Sequence, residues 1–401
     1  MIQRQLFEKL AGYTTPDELK RAGIYPYFRP IQENNDTEII IQGRKLLMFG
    51  SNSYMGLTNH PKVKAAAKRA IDQYGSSCSG SRFLNGTSQL HICLEERLAD
   101  FVGKEAALVF TTGFQANVGA VASLTGRNGV LILDESDHAS IIEGSRLSFS
   151  RVLKFAHNDM EDLERVLRSV RDEAIKMIVV DGIFSMEGDI CNLPEITELA
   201  LRYHALVMVD DAHGLGVLGE AGRGTTDHFG LTEQVDIIMG TFSKSLASIG
   251  GFIASTKEMI NYFKHHSRPL IFSASIPPSA AAAAMAALEI LQDEPERQEA
   301  LWNNTAYMVK MLQELGFDTH TSQSPIVPVY IKDDQLTFQF TRRMFEEGIF
   351  VNPVVSPAVR SDASLIRMSI MATHSRRQID MALSVMEKVD RELHITRVKQ
   401  I

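Results

Sequence analysis

Residues 235–256 read "VDIIMGTFSKSLASIGGFIAST". Two short apolar runs, 235–244 and 250–256, flank a turn of serine, alanine and glycine. Continuous apolar runs of this length suit strands buried on both faces. They lie too close together for a helical crossover, so the pair is expected to be antiparallel. Lys244 stands in the turn. Lysine is normally kept in water, so a lysine among small residues at a strand end implies that something lies against it.

Runs of the same kind recur upstream: "EAALVFTTG" (105–113), "GVLILDE" (129–135), "IKMIVVDGIFS" (175–185) and "ALVMVDDAH" (205–213). Amphipathic segments such as "MEDLERVLRSVRDEA" (160–174) and "LPEITELALRYH" (193–204) separate most of them. Alternation of this kind builds βαβ units and a mainly parallel sheet covered on both faces, an α/β fold. After Pro277 and Pro278 the pattern turns helical to about residue 316, with a break expected near "DEPER". Strand-like and helical segments then alternate to the end. The expected organisation is an N-terminal segment (1–50), a large domain (51–285) and a smaller α/β domain (286–401).

Composition narrows the function classes. The 401 residues carry a net charge of −8 and no basic block, which argues against nucleic acid as a partner. No run reaches the roughly 18 apolar residues of a membrane span. The nearest, "AAAAAMAAL" (280–288), reads as a buried, close-packed helix. The opening "MIQRQLFEKLAGYTTPDELKRAG" reads as amphipathic helix rather than signal peptide. Three cysteines without metal-ligand spacing suit a reducing cytoplasm.

Functional groups in open parallel sheets gather at the C-terminal strand ends. Here those ends carry Thr112 to Phe114, His138, Asp181 and Ser185, Asp210 to His213, and Thr241 to Lys244. "GLGVLG" (214–219) has the dinucleotide pattern, but the acid near the required distance, Asp236, begins a strand instead of ending one. "DDAH" (210–213) lacks a second cluster at ligand spacing, so no metal is expected. Taken together the groups suit pyridoxal phosphate. Lys244 supplies an amine for the cofactor's aldehyde. Asp210 supplies a carboxylate to keep the pyridine nitrogen protonated. His213 can reach the 3'-oxygen, with Ser185 as a second donor. Gly113 and Phe114 at a helix N-terminus, with the Thr241 hydroxyl, suit the phosphate. His138 offers a flat ring to stack on the pyridine.

These residues, with "NSYMGL" (52–57), "TGFQAN" (112–117), "DHAS" (137–140), "DGIFSMEGD" (181–189), "VDDAH" (209–213) and "GTFSKS" (240–245), make the chain resemble the α-oxoamine synthase family of fold-type I pyridoxal phosphate enzymes. The resemblance runs from "YPYFRPIQ" to "MATHS". It implies a large domain with a mainly parallel seven-stranded sheet. "GSRFLNGT" (80–87), "LMFGSNSYMGL" (47–57) and "FVNPVVSPAV" (350–359) look most like the branch that condenses L-serine with palmitoyl-CoA to 3-ketodihydrosphingosine. On that likeness Arg367 holds the amino-acid carboxylate, Asn52 contacts substrate, and Lys244, once released, removes the Cα proton. The family's homodimers share their sites, and "FSASIPP" (272–278) matches the segment lent to the partner's phosphate site, with Ser273 as the candidate. Long-chain substrates imply peripheral contact with a membrane. The alternatives are the sister activities, 2-amino-3-ketobutyrate CoA ligase and 8-amino-7-oxononanoate synthase, and an aminotransferase of the same fold.

Overall fold

The computed structural model describes residues 2–172, 174–320 and 322–396. Its first strands, β1 (Glu33–Asn35), β2 (Glu38–Ile41) and β3 (Arg44–Met48), form an antiparallel meander. The central sheet follows with β4 (Ala106–Phe110), β5 (Gly129–Asp134), β6 (Arg151–Phe155), β7 (Ile175–Asp181), β8 (Ala205–Asp210), β9 (Ile237–Thr241) and β10 (Gly251–Ser255). Its order is β4-β10-β9-β8-β7-β5-β6. All neighbours are parallel except β10, which runs antiparallel to both β9 and β4. The tight turn at Lys244 allows no other direction. The sheet is thus seven-stranded and mainly parallel.

Alternation along each strand feeds two cores. Ile178 and Val180 of β7, with Val207 and Val209 of β8, enter the cluster on one face. Met177, Val179 and Met208 enter the cluster on the other. Each fully buried side chain of this size stabilises by roughly 1.5–3 kcal/mol relative to exposure, so a sheet covered on both faces needs continuous apolar strands. The helix Pro278–Asp293 packs on the helix Pro61–Tyr74, and its Ala281 to Ala284 are all buried. Small side chains let the backbones approach. The helical pattern breaks at Glu294–Pro295, and a second helix runs Glu296–Glu314.

The later strands are β11 (Ile326–Tyr330), β12 (Ile349–Phe350), β13 (Asn352–Val354) and β14 (Leu365–Ser369). β14 lies between β11 and β13, antiparallel to each, with Arg367 opposite Pro328 and Asn352. β12 pairs parallel with β3. The segment leaving β3 is then pinned to the one around β14: Ser369 N donates to Phe49 O (2.7 Å) and Ala372 N to Tyr54 O (2.7 Å). This lacing carries Asn52 and Tyr54 to the edge of the central sheet.

Two local expectations change. The opening segment is two helices, Ile2–Ala11 and Thr15–Arg21, separated at Gly12. Leu6, Phe7 and Leu10 stay exposed in the isolated chain. The pattern at 160–174 is helical only over Met160–Arg168, and residue 173 lies outside the described residues.

Candidate active site

Asp181 and Asp210 end β7 and β8 in register, and Thr241 ends β9 on the same edge of the sheet. Two elements complete the edge: the helix Gly113–Leu124, which follows β4, and His138, which caps the helix Ala139–Leu147. Together they enclose a cavity of about 310 Å³ lined by Gly113, Phe114, Asn117, His138, Asp181, Asp210, His213, Thr241, Ser243 and Lys244. Seven residues chosen from the sequence therefore share one cavity: Gly113, Phe114, His138, Asp210, His213, Thr241 and Lys244.

Asp210 is held at both oxygens. Asn117 Nδ2 donates to Oδ2 at 2.5 Å and Ala212 N to Oδ1 at 2.9 Å. Asn117 Nδ2 also donates to Ser140 Oγ (2.8 Å), and Ser140 Oγ lies 2.7 Å from His138 Nδ1. Burial, with the charge of Asp210, raises Asp181 well above the ordinary carboxylate range. Burial in the cleft pushes the Lys244 amine down to about 7; the charge of Arg367 adds to this, while Asp210 and Asp181 oppose it. His213 is pushed well below its usual value by burial and by the nearby cations Lys244 and Arg367, so its imidazole is neutral. Partial desolvation also lowers His138, an exposed residue that lines the cavity.

One end of the cavity suits an anion. Thr112 Oγ1 accepts from Gln115 N (3.1 Å) and caps the helix, whose first N–H groups open toward the cavity. A Cβ on Gly113 would come within 2.7 Å of Thr241 Oγ1, so glycine is required for that close approach. Thr241 Oγ1 lies 3.0 Å from Ser243 Oγ.

Arg367 and Asn52 form a second cluster beside the first, joined to it by a residue the sequence reading did not single out. Arg367 is buried. Its Nε donates to Ser185 O (2.6 Å), and its Nη1 to Asn52 Oδ1 (3.0 Å) and Ser369 Oγ (2.9 Å). Ser185 thus presents its carbonyl to the arginine and does not line the main cavity. Its loop is stapled by His157, whose Nδ1 and Nε2 each lie 3.0 Å from a carboxylate, Asp134 and Asp189 respectively. Burial works against the charge on His157, but these hydrogen bonds push it up to about 10. Tyr54 links the clusters, its hydroxyl 2.7 Å from His213 Nδ1 and 3.4 Å from Asn52 Oδ1. Ser273 lies apart: it accepts from Gln115 Nε2 (3.2 Å) and borders a different cleft.

The structure accounts for both sequence decoys. Asp211 accepts from Thr225 N and Thr225 Oγ1, each at 2.7 Å, which engages both its oxygens. The first glycine of the turn "GLGVLG" packs against it, where a Cβ on Gly214 would sit 1.8 Å from Asp211 Oδ1, while Gly216 packs on Ser245 and Gly219 on Asp227. That turn follows β8 and opens no helix at a phosphate.

An amine of lowered pKa, a fixed carboxylate, two imidazoles and a capped helix N-terminus on one cavity are the groups that pyridoxal phosphate requires. Fold and site define a fold-type I pyridoxal phosphate-dependent enzyme. The chain belongs to the family described as aminotransferase class I and II, whose profile matches residues 44–386. It is 54% identical to a serine palmitoyltransferase of Sphingobacterium spiritivorum, covering 98% of this chain and 99% of that one. It is 43% identical to an 8-amino-7-oxononanoate synthase of Thermoanaerobacter pseudethanolicus, covering 94% of this chain and 96% of that one. A solved serine palmitoyltransferase with pyridoxal phosphate bound superimposes with a TM-score of 0.94 at 35% identity, covering 98% of this chain and 99% of that one.

Proposed function

We propose that the chain is a serine palmitoyltransferase. In this reading it joins L-serine to palmitoyl-CoA, releases CoA and CO2, and forms 3-ketodihydrosphingosine, opening sphingolipid biosynthesis. The end-to-end match to serine palmitoyltransferases, at 54% identity against 43% for the sister synthase, carries this reading.

Pyridoxal phosphate, when bound, supplies an electron sink for charge left on Cα. Lys244 would hold it through the aldehyde carbon, and the helix end at Gly113 and Phe114, with Thr241, would hold its phosphate. Asp210, fixed by Asn117 and the Ala212 N–H, would keep a proton on the pyridine nitrogen. His213 would donate toward the 3'-oxygen, and the His138 ring would stack on the pyridine. A base must be neutral to take a proton, and an amine at about 7 supplies that form near neutral pH. Arg367 would hold the serine carboxylate, with Asn52 beside it. The protein's own carbonyl and hydroxyl acceptors pre-orient its guanidinium, so little is lost in ordering it when substrate arrives. By gripping the carboxylate, Arg367 would decide that the Cα proton leaves before CO2.

The proposed division of labour gives residues 51–285 the cofactor and residues 286–401 the carboxylate arginine, with 1–50 leading into the large unit. Ser273, facing a separate cleft, would serve the phosphate of a partner copy in a homodimer. Among the described residues no helix is long and apolar enough to cross a membrane. Long-chain substrate and product would be exchanged by peripheral contact from the cytoplasm.

The test is CoA release across a panel of acyl-CoA lengths with serine, glycine and alanine. Serine with long acyl chains should react fastest. Preference for alanine or glycine with a short acyl group would move the chain to a sister synthase.

A further inference from the structure

Tyr54 sits at the joint between the two halves of the site and is almost fully buried. Its one proton has two acceptors in reach, His213 Nδ1 at 2.7 Å and Asn52 Oδ1 at 3.4 Å. The amide oxygen of Asn52 already accepts from Arg367 Nη1 at 3.0 Å. Suppose His213 carried its proton on Nδ1. It would then donate to the phenol, whose own proton would be left with the long contact to Asn52. The 2.7 Å contact is used best when the phenol donates to Nδ1. In a neutral imidazole the partner of one nitrogen fixes the state of the other. His213 then carries its proton on Nε2, and its ring lines the cofactor cavity.

We propose that Tyr54 is a positioning residue: its phenol sets the tautomer of His213 and, through the amide oxygen of Asn52, ties that imidazole to the guanidinium of Arg367. The proposal rests on the reading of His213 as the donor to the cofactor's 3'-oxygen. It gives the site a property that neither cluster has alone. Events at the carboxylate arginine reach the cofactor's ring through three side chains without any backbone movement. The other charged or titratable groups facing His213 are Lys244, Arg367 and His138, with Asp210 in the same cavity wall. Arg367 also hydrogen-bonds the phenol, so removing the oxygen touches it as well, and the His213→Gln background separates that loss from the tautomer.

The experiment compares wild-type and Tyr54→Phe holoenzymes. Two quantities are read from the cofactor absorbance: its pH midpoint and the L-serine dissociation constant. Losing one buried hydrogen bond should move the midpoint by about half a pH unit or more and weaken serine roughly threefold to tenfold. In a His213→Gln background, Tyr54→Phe should move the midpoint no further. An unmoved midpoint in the single variant, or an equal shift with His213 absent, would overturn the proposal. Should Tyr54→Phe not fold, nitrogen NMR of histidine-labelled wild type, assigned with His213→Gln, reads the tautomer directly. A proton on Nε2 supports the proposal and one on Nδ1 overturns it. A wild-type protein whose absorbance ignores serine would instead overturn the reading of the site itself.

Discussion

Replacing Arg367 with alanine should separate the carboxylate's contribution from everything else in serine binding. The guanidinium is buried on the middle strand of a three-stranded sheet, so its charge is presented at a fixed place. A hydrogen bond to a charged group is worth about 1.5–3 kcal/mol, and each 1.4 kcal/mol is tenfold in affinity. Serine should therefore bind roughly 10- to 150-fold more weakly in Arg367→Ala. The substitution also strips the Ser185 carbonyl and Asn52 of a donor. Some stability will be lost for reasons unrelated to substrate, and serine alone cannot tell the effects apart. Ethanolamine, which is serine without its carboxylate, provides the control. Both ligands are titrated by the change in cofactor absorbance. The wild type should favour serine strongly, and the variant should bind the two almost equally, with ethanolamine little changed. Arg367→Ala should also permit premature loss of CO2 or transfer of the amino group, seen as pyridoxamine phosphate. Unchanged serine affinity, or the same loss for serine and ethanolamine, would show that Arg367 is structural and the carboxylate is held elsewhere.

Lys244→Ala should abolish turnover, and borohydride reduction of the native protein should fix the cofactor on the peptide containing Lys244; a label on another lysine would reassign the site. Asp210→Asn should still bind cofactor but exchange the Cα hydrogen of serine far more slowly in heavy water, because the amide no longer keeps the pyridine nitrogen protonated; wild-type exchange would contradict this. The amine of Lys244 lies at about 7 in the folded chain, below the ordinary lysine value, so the unfolded chain binds more protons between the two. Cofactor-free protein should thus gain stability as pH rises above about 7, up to the ordinary lysine range, and Lys244→Met should lack that increment in denaturant titrations across the same pH range.

The parts of this molecule that could be read from sequence are those set by local pattern. The strands β4, β5, β7, β8 and β9 are continuous apolar runs because both faces of the sheet are covered. The reversed direction of β10 follows from the short turn before it. β6 escaped notice because it is an edge strand: "RVLKF" exposes Arg151 and Lys154 and buries little beyond Phe155. The meander β1–β3 was also missed, since its strands are short and take their position from β12, some 300 residues away in sequence. Lys244, Asp210 and Thr241 were accessible as polar residues at strand ends. Tyr54, Asn117 and Ser140 were not. Each acts by touching another functional side chain, and the Tyr54–His213 contact spans 159 residues. Tyr54 lies in the motif "NSYMGL", two residues from Asn52, but its own side chain reads as a core aromatic.

Serine labelled at its carboxyl carbon, incubated with the holoenzyme with and without palmitoyl-CoA, tests the central claim most directly. Labelled CO2 should appear only with palmitoyl-CoA, in equal amount to the CoA released and to an unlabelled 3-ketodihydrosphingosine identified by mass. Release of labelled CO2 without the thioester, or CoA release with the label retained in the product, would contradict the account.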